Sequence, residues 1–177
     1  ISKGVMLSHV NIASNVSGVA ASVYAGRGDV HLSLLPLHHT YENTLGMTYM
    51  IYCGVCIAYC QGIKYIAQNI KEFGVTILIA VPAIFEAIYK KLNDGIKKSG
   101  KEKLVNALIK VSEALRLFKI DLRRKFFKSI FDQLGPKLRL GICGAAPLNP
   151  DIVRSFDKLG LRILEGYGLT ETSPLVA

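Results

Sequence analysis

The sequence lacks the cysteine and histidine spacings that build a zinc centre. Only four cysteines occur in 177 residues. Cys53, Cys56 and Cys60 share one apolar run, and Cys143 stands apart. Cys53 and Cys56 have no second Cys-x-x-Cys pair and no His-x-x-His nearby, which argues against a zinc site. Buried free thiols in a reducing compartment are the expectation. No serine sits in a nucleophile-elbow context, which argues against a serine triad. Asn43 to Ile63 is uncharged and has the length of a membrane span. Gly46, Gly54 and Gly62 interrupt it, however, and Val55–Cys60 is strand-like. A helix of about three turns followed by a buried strand explains the run better. No signal peptide is visible, which excludes nothing in a sequence that begins with Ile1.

Half of the residues are hydrophobic, enough for a sizeable core and against disorder. The formal net charge is +9, and it is concentrated. Lys90 to Arg139 holds 15 Lys/Arg against 5 Asp/Glu, or +10, so the remainder carries 22 − 15 = 7 basic and 13 − 5 = 8 acidic residues, or −1. Such a segment either attracts phosphate-rich or anionic partners or is a solvated helical face. It lacks aromatics spaced as a stacking platform, so no nucleic-acid partner is expected.

The apolar periodicity predicts alternating helices and strands. A helix capped by Ser8 or Asn11 runs to about Tyr24. Strands are expected at Val30–Leu35, Val55–Cys60, Val75–Val81, Leu138–Cys143 and Leu161–Leu164. Helices are expected at Tyr41–Tyr52, Ile63–Phe73, Pro82–Leu92 and Pro150–Leu159, and two more within the basic segment, at Lys101–Phe118 and Leu122–Gln133. This order gives an α/β fold, a mainly parallel sheet flanked by helices on both faces, with a helical insertion at about 95–135.

In such a sheet all C-terminal strand ends lie on one edge. Three polar or glycine-rich segments follow strands there: His38-His39, Gly144-Ala145-Ala146-Pro147 and Gly166-Tyr167-Gly168 with Thr170-Glu171. Open α/β sheets bind ligands at that edge. A threonine hydroxyl can hold a phosphate oxygen, and a neighbouring carboxylate can hold Mg²⁺. Each group also has a plainer reading: a hydrogen-bonded structural histidine, a small strand-to-helix turn, a first-turn acid of a helix.

Four segments in order resemble the acyl-adenylate-forming enzymes, the family of acyl-CoA synthetases, luciferases and peptide-synthetase adenylation domains. They are Ser2-Lys3-Gly4-Val5, similar to the end of a phosphate loop but with Ser2 where proline is usual; Pro36-Leu37-His38-His39-Thr40-Tyr41-Glu42; Gly144-Ala145-Ala146-Pro147-Leu148; and Tyr167-Gly168-Leu169-Thr170-Glu171. The second segment and the basic stretch point to the long-chain fatty-acid branch. Other branches, taking aryl, short-chain or amino acids, remain alternatives, as does a non-catalytic nucleotide- or lipid-binding module.

The resemblance implies ATP, Mg²⁺ and CoA as cofactor and co-substrates and a fatty acid as substrate. His39 would face the acyl carboxylate. Lys3 would touch ATP phosphates. Gly144, Ala145, Ala146 and Pro147 would flank adenine, with Tyr167 between Gly166 and Gly168 on its other side. Thr170 would bind the α-phosphate and Glu171 the metal. It further implies that residues 1–28 end the phosphate loop and add a helix of a neighbouring subdomain, and that 29–177 form one α/β subdomain. The sequence would be an internal piece, inactive alone, of a cytoplasmic enzyme whose basic helices touch an anionic membrane from the inner face.

Overall fold

The computed structural model describes residues 4–177. Five strands form one parallel sheet: β1 (Val30–Ser33), β2 (Cys56–Tyr59), β3 (Ile77–Ala80), β4 (Leu140–Cys143) and β5 (Arg162–Glu165), in the order β2-β1-β3-β4-β5. The parallel α/β arrangement read from the sequence is therefore observed. β3 and β4 are buried along their whole length, as uncharged runs in a two-sided sheet must be.

The helices begin where local chemistry satisfies their free N–H groups. Ser8 caps α1 (His9–Ser22): its Oγ accepts from the Asn11 amide at 3.2 Å, and Asn11 Oδ1 accepts from the Ser8 amide at 3.0 Å. Pro82 opens α4 (Pro82–Lys98). Asn149 Oδ1 accepts from the Asp151 amide at 2.9 Å to open α8 (Pro150–Leu159). A π-helical stretch, Glu42–Tyr49, runs directly into α2 (Met50–Cys53). A 3₁₀ turn, Ile63–Tyr65, leads into α3 (Ile66–Glu72). The basic segment folds as the end of α4, then α5 (Glu102–Leu117), α6 (Arg123–Phe126) and α7 (Lys128–Leu134).

Each face of the sheet has its own core. Ile77 and Ile79 of β3 face Val16 and Val19 of α1 and Leu45, Tyr49 and Met50 of the π/α2 helix. Leu78 and Ala80 alternate to the other face, with Ile70, Phe85, Phe127, Phe131 and Phe156. At the N-terminal sheet edge, the Asp29 carboxylate takes two bonds from the Arg139 guanidinium, at 2.6 and 3.0 Å, and one from Thr76 Oγ1 at 2.7 Å, tying β1, β3 and β4 together. Burial raises the Asp29 pKa, but the Arg139 and Thr76 bonds outweigh it, so its net position is below the usual 3.8.

Four expectations are corrected. β2 is not a buried strand: it is the edge of the sheet, and Cys56 and Tyr59 are exposed. With it fails the expectation of buried thiols. All four cysteines are free, but only Cys143 is buried; Cys56 is exposed and Cys53 and Cys60 are half-buried. An uncharged run signals burial only when both neighbours exist, and β2 has one. Burial pushes the Cys143 thiol up to about 11, with Glu165 and Glu86 adding repulsion, so it is an inert thiol. Finally, α4 runs past Leu92 to Lys98 because Ile96 continues its apolar stripe across Gly95, and the expected helix at 122–133 is two, split where Phe127 (φ −103°, ψ 21°) leaves helical geometry and is buried.

Candidate active site

The sheet delivers the expected segments to one edge. β1, β4 and β5 are parallel, so Pro36–Glu42, Gly144–Pro147 and Gly166–Glu171 all leave from C-terminal strand ends. Two of these segments touch. The Tyr41 hydroxyl donates to the Ile142 carbonyl of β4 at 3.2 Å. Its ring fills the space beside Gly144, where a Cβ would lie 2.7 Å from the Tyr41 Cζ. Burial, with Cys143 and Glu42 near, pushes the Tyr41 hydroxyl pKa up, so it serves as a neutral donor. A buried aromatic on the first helical turn thus locks the histidine segment to the end of β4.

His38 and His39 are both exposed at this edge. His39 Nδ1 accepts from the Tyr41 amide at 3.2 Å, which fixes its ring orientation and leaves Nε2 facing outward from that contact. Gly144 is buried, whereas Ala145, Ala146 and Pro147 are exposed. Ala145 sits at φ 72°, a left-handed conformation that costs an alanine of order 1 kcal/mol. Such strain concentrates where a backbone must present itself to a ligand. The end of this turn is pinned by Glu165, whose Oε1 accepts from the Leu148 amide at 3.0 Å.

The segment after β5 folds back on itself. Gly168 pairs with Leu175 in an antiparallel bridge, the Leu169 amide donates to the Pro174 carbonyl at 2.9 Å, and the Val176 amide to the Tyr167 carbonyl at 2.8 Å. A Cβ at Gly168 would lie 1.7 Å from the Pro174 oxygen, so close backbone approach requires glycine there. At the tip, Thr170–Thr172 form a single 3₁₀ turn with Thr170 and Glu171 exposed. Tyr167 is 65% exposed, a flat aromatic surface offered at the edge. Asn15 of α1 holds the loop from below: its Nδ2 donates to the Leu175 carbonyl at 2.7 Å.

A cavity of about 750 Å³ opens between α1, the π-helical stretch and this loop. Of the expected site residues it brings together Gly166 and Glu171, alongside Glu165 and Leu45; His39, Gly144–Pro147, Tyr167 and Thr170 lie outside its lining. Lys3 falls outside the described residues. Among the described residues no group of three or more His, Cys, Asp or Glu could cage a metal. Mg²⁺ needs no such cage, because it binds through one or two carboxylates plus substrate phosphates. Glu171, exposed beside Thr170, fits that role.

One cluster escaped the sequence reading. Glu42 is fully buried; its Oε1 accepts from Ser33 Oγ at 2.6 Å and lies 3.4 Å from His31 Nε2, itself fully buried. Gly46, four residues on, leaves the room, since a Cβ there would lie 2.5 Å from the carboxylate. The signal was present: Glu42 is the only acid between Asp29 and Glu72 and heads an uncharged run. Ser33, His31 and Glu42 join the end of β1 to the first turn of the helix that carries His39 at its entry.

The profile of the family described as AMP-binding enzyme matches residues 2–177. The chain belongs to this family. Among curated relatives, it is 34% identical over 184 residues to long chain acyl-CoA synthetase 6, peroxisomal, of Arabidopsis thaliana, a match covering 99% of this chain and 26% of that protein. It is 32% identical over 181 residues to long-chain-fatty-acid–CoA ligase 5 of Rattus norvegicus, covering 96% and 26%. The chain thus spans about a quarter of the length of these relatives. Its fold is similar to that of a long-chain-fatty-acid–CoA ligase from Archaeoglobus fulgidus, with TM-score 0.66, 22% identity, and coverage of 99% of this chain and 30% of that one. It is also similar to the O-succinylbenzoate coenzyme A synthetase of Bacillus subtilis solved with ATP and magnesium ion, with TM-score 0.69, 15% identity, and coverage of 99% and 29%.

Proposed function

We propose that this chain is part of an ATP-dependent acyl-CoA synthetase that activates a long-chain fatty acid. The observation that carries this reading is the meeting of three family segments at one sheet edge, with the histidine segment locked to β4 by Tyr41. The relatives' names supply the acid: two of them are long-chain synthetases.

In the first step a carboxylate oxygen attacks the α-phosphorus of ATP, and pyrophosphate leaves with the electron pair of the broken P–O bond, giving acyl-AMP. In the second, the CoA thiolate attacks the acyl carbonyl and AMP leaves. Neither step needs a protein nucleophile; both need positioning and charge neutralisation. Tyr167 and the Gly144–Pro147 turn present a flat ring and bare backbone for adenine. The Thr170 hydroxyl donates to an α-phosphate oxygen. Glu171 would hold Mg²⁺, which would supply neutralisation of the phosphate charge. His39, oriented by the Tyr41 amide, faces the acyl carboxylate through Nε2. Residues 1–28 belong to a neighbouring subdomain and 29–177 to one α/β subdomain of the whole enzyme.

The basic helices α4 to α7 lie outside the sheet layer. Part of their charge is spent internally: Arg123 pairs with Asp121 at 2.7 Å and Asp157 at 3.0 Å, and Arg116 with Asp157 at 2.9 Å. Arg123 holds the Asp121 carboxyl at about 2. The remaining lysines favour peripheral contact with an anionic membrane; among the described residues no helix is long and apolar enough to cross one. The test of the reading is ATP–pyrophosphate exchange by the intact protein. Exchange that depends on a long-chain acid supports it; no exchange with any carboxylic acid refutes it.

A further inference from the structure

The sheet face opposite α1 carries a groove that the adenylation reading does not use. It lies between α3, α4, α5 and α7 and encloses about 460 Å³, within the roughly 300–1,000 Å³ typical of small-molecule pockets. Its floor is the buried Ile66, Ile70 and Phe127, and its walls include Ile88, Leu92 and Leu108. Ile63, 81% exposed, and Leu104, 54% exposed, stand at its lips as large apolar side chains facing water. Three lysines line it, Lys64, Lys91 and Lys101, and no aspartate or glutamate does. An apolar trough with cations and no anion is complementary to a long alkyl chain ending in a negative group.

This groove is separate from the candidate active site. Its floor residues Ile66, Ile70 and Phe127 share a core with Leu78 and Ala80 of β3, whereas Val19, Leu45 and Ile142, which line the cavity beside Glu171, share the opposite core with Ile77 and Ile79. The two cavities share no lining residue.

We infer that the groove is a second ligand site, holding one free long-chain carboxylate with its chain along α4 and its head among Lys64, Lys91 and Lys101. One pocket of this size suits a single chain rather than a two-chain lipid. The inference rests on the groove alone and stands whether or not the active-site reading does.

Gly95 gives a variant that fills the groove with little risk to the fold. It lines the groove within α4, its backbone is ordinary helix, and a Cβ there meets nothing within 4 Å. Gly95→Phe replaces a poor helix former with a better one and projects a ring into the space. Binding of radiolabelled palmitate to the intact protein is measured by equilibrium dialysis, with and without a non-hydrolysable palmitoyl-AMP analogue. With the analogue present, one equivalent of palmitate should still bind, and Gly95→Phe should remove it. Lys91→Glu should weaken that equivalent roughly tenfold, the loss a contact to a charged group carries, while hexadecanol binding stays within about twofold. The same Gly95→Phe comparison without analogue reads the groove even in a protein that does not bind adenylate. Palmitate binding unaltered by Gly95→Phe overturns the inference. So does equal weakening of acid and alcohol by Lys91→Glu. Displacement of the retained palmitate by phosphatidylglycerol vesicles but not phosphatidylcholine vesicles would make the groove a lipid contact, and overturns it too.

Discussion

Gly144→Ala probes the joint between two segments of the proposed site. The new Cβ would lie 2.7 Å from Tyr41 Cζ and 2.9 Å from Cε2 and Oη. The ring cannot yield freely, because it is 6% exposed and its hydroxyl is bonded to the Ile142 carbonyl. Overpacking of this kind costs ~1–3 kcal/mol, and losing the hydroxyl bond adds ~1 kcal/mol, for a total of about 2–4 kcal/mol. Urea unfolding of the intact protein reads this as a lower midpoint at unchanged slope. Tyr41→Leu removes the Cζ and Oη atoms that clash. In that background Gly144→Ala should cost under ~1 kcal/mol, a coupling of at least ~1 kcal/mol between residues in contact. An equal cost in both backgrounds refutes the steric argument. A raised KM for ATP with unchanged stability would instead mean that Gly144 is needed for nucleotide alone.

The Asp29–Arg139 clip should make stability acid-sensitive. Asp29 is depressed below 3.8 in the fold, so its contribution is complete above ~3.8 and is lost as pH falls through the lower folded value. Arg139→Met should lower stability at neutral pH by about 1–3 kcal/mol, discounted for the partial exposure of Arg139, and should flatten that acid loss in unfolding curves taken from pH 5 to 2. Gly168→Ala cannot be relieved by side-chain motion, because the clash is with the Pro174 backbone oxygen. Amide exchange at Leu169 and Val176 should accelerate by at least ~tenfold, or more than ~1.4 kcal/mol of local opening, while exchange in β3 and β4 stays as it was.

The strands were legible where burial is two-sided. Ile77–Ala80 and Leu140–Cys143 are uncharged, bounded by helix signals, and sit in the middle of the sheet. The edge position of β2 was not legible, since Cys56–Tyr59 has the same uncharged character and only the strand order tells that one neighbour is missing. The helix after His39 was expected, but its π-helical winding over Glu42–Tyr49 was not, because about two turns of altered pitch leave the apolar pattern almost unchanged. At the site, chain order and parallel strands were enough to bring His39, Gly144 and Tyr167 to one edge. What sequence could not supply were contacts between distant residues: Tyr41 against Gly144, Glu42 against Ser33 and His31, and Asn15 beneath the loop of Glu171.

The central claim is that Glu171 holds Mg²⁺ at the phosphates of ATP. Glu171→Gln keeps the shape and removes the charge, and the residue is exposed, so folding should be indifferent to it. Metal-assisted charge stabilisation is worth several kcal/mol in the transition state. Each ~1.4 kcal/mol is tenfold in rate, so acyl-AMP formation by the intact protein should fall roughly a hundredfold or more. Thioester formation from preformed acyl-AMP, in which no pyrophosphate departs, should change far less. The decisive measurement is the two half-reactions of this one variant, each in a single turnover. A selective loss in the first is the predicted result; two half-reactions both at the unsubstituted rate would contradict the account and leave Glu171 as the acid of a surface turn.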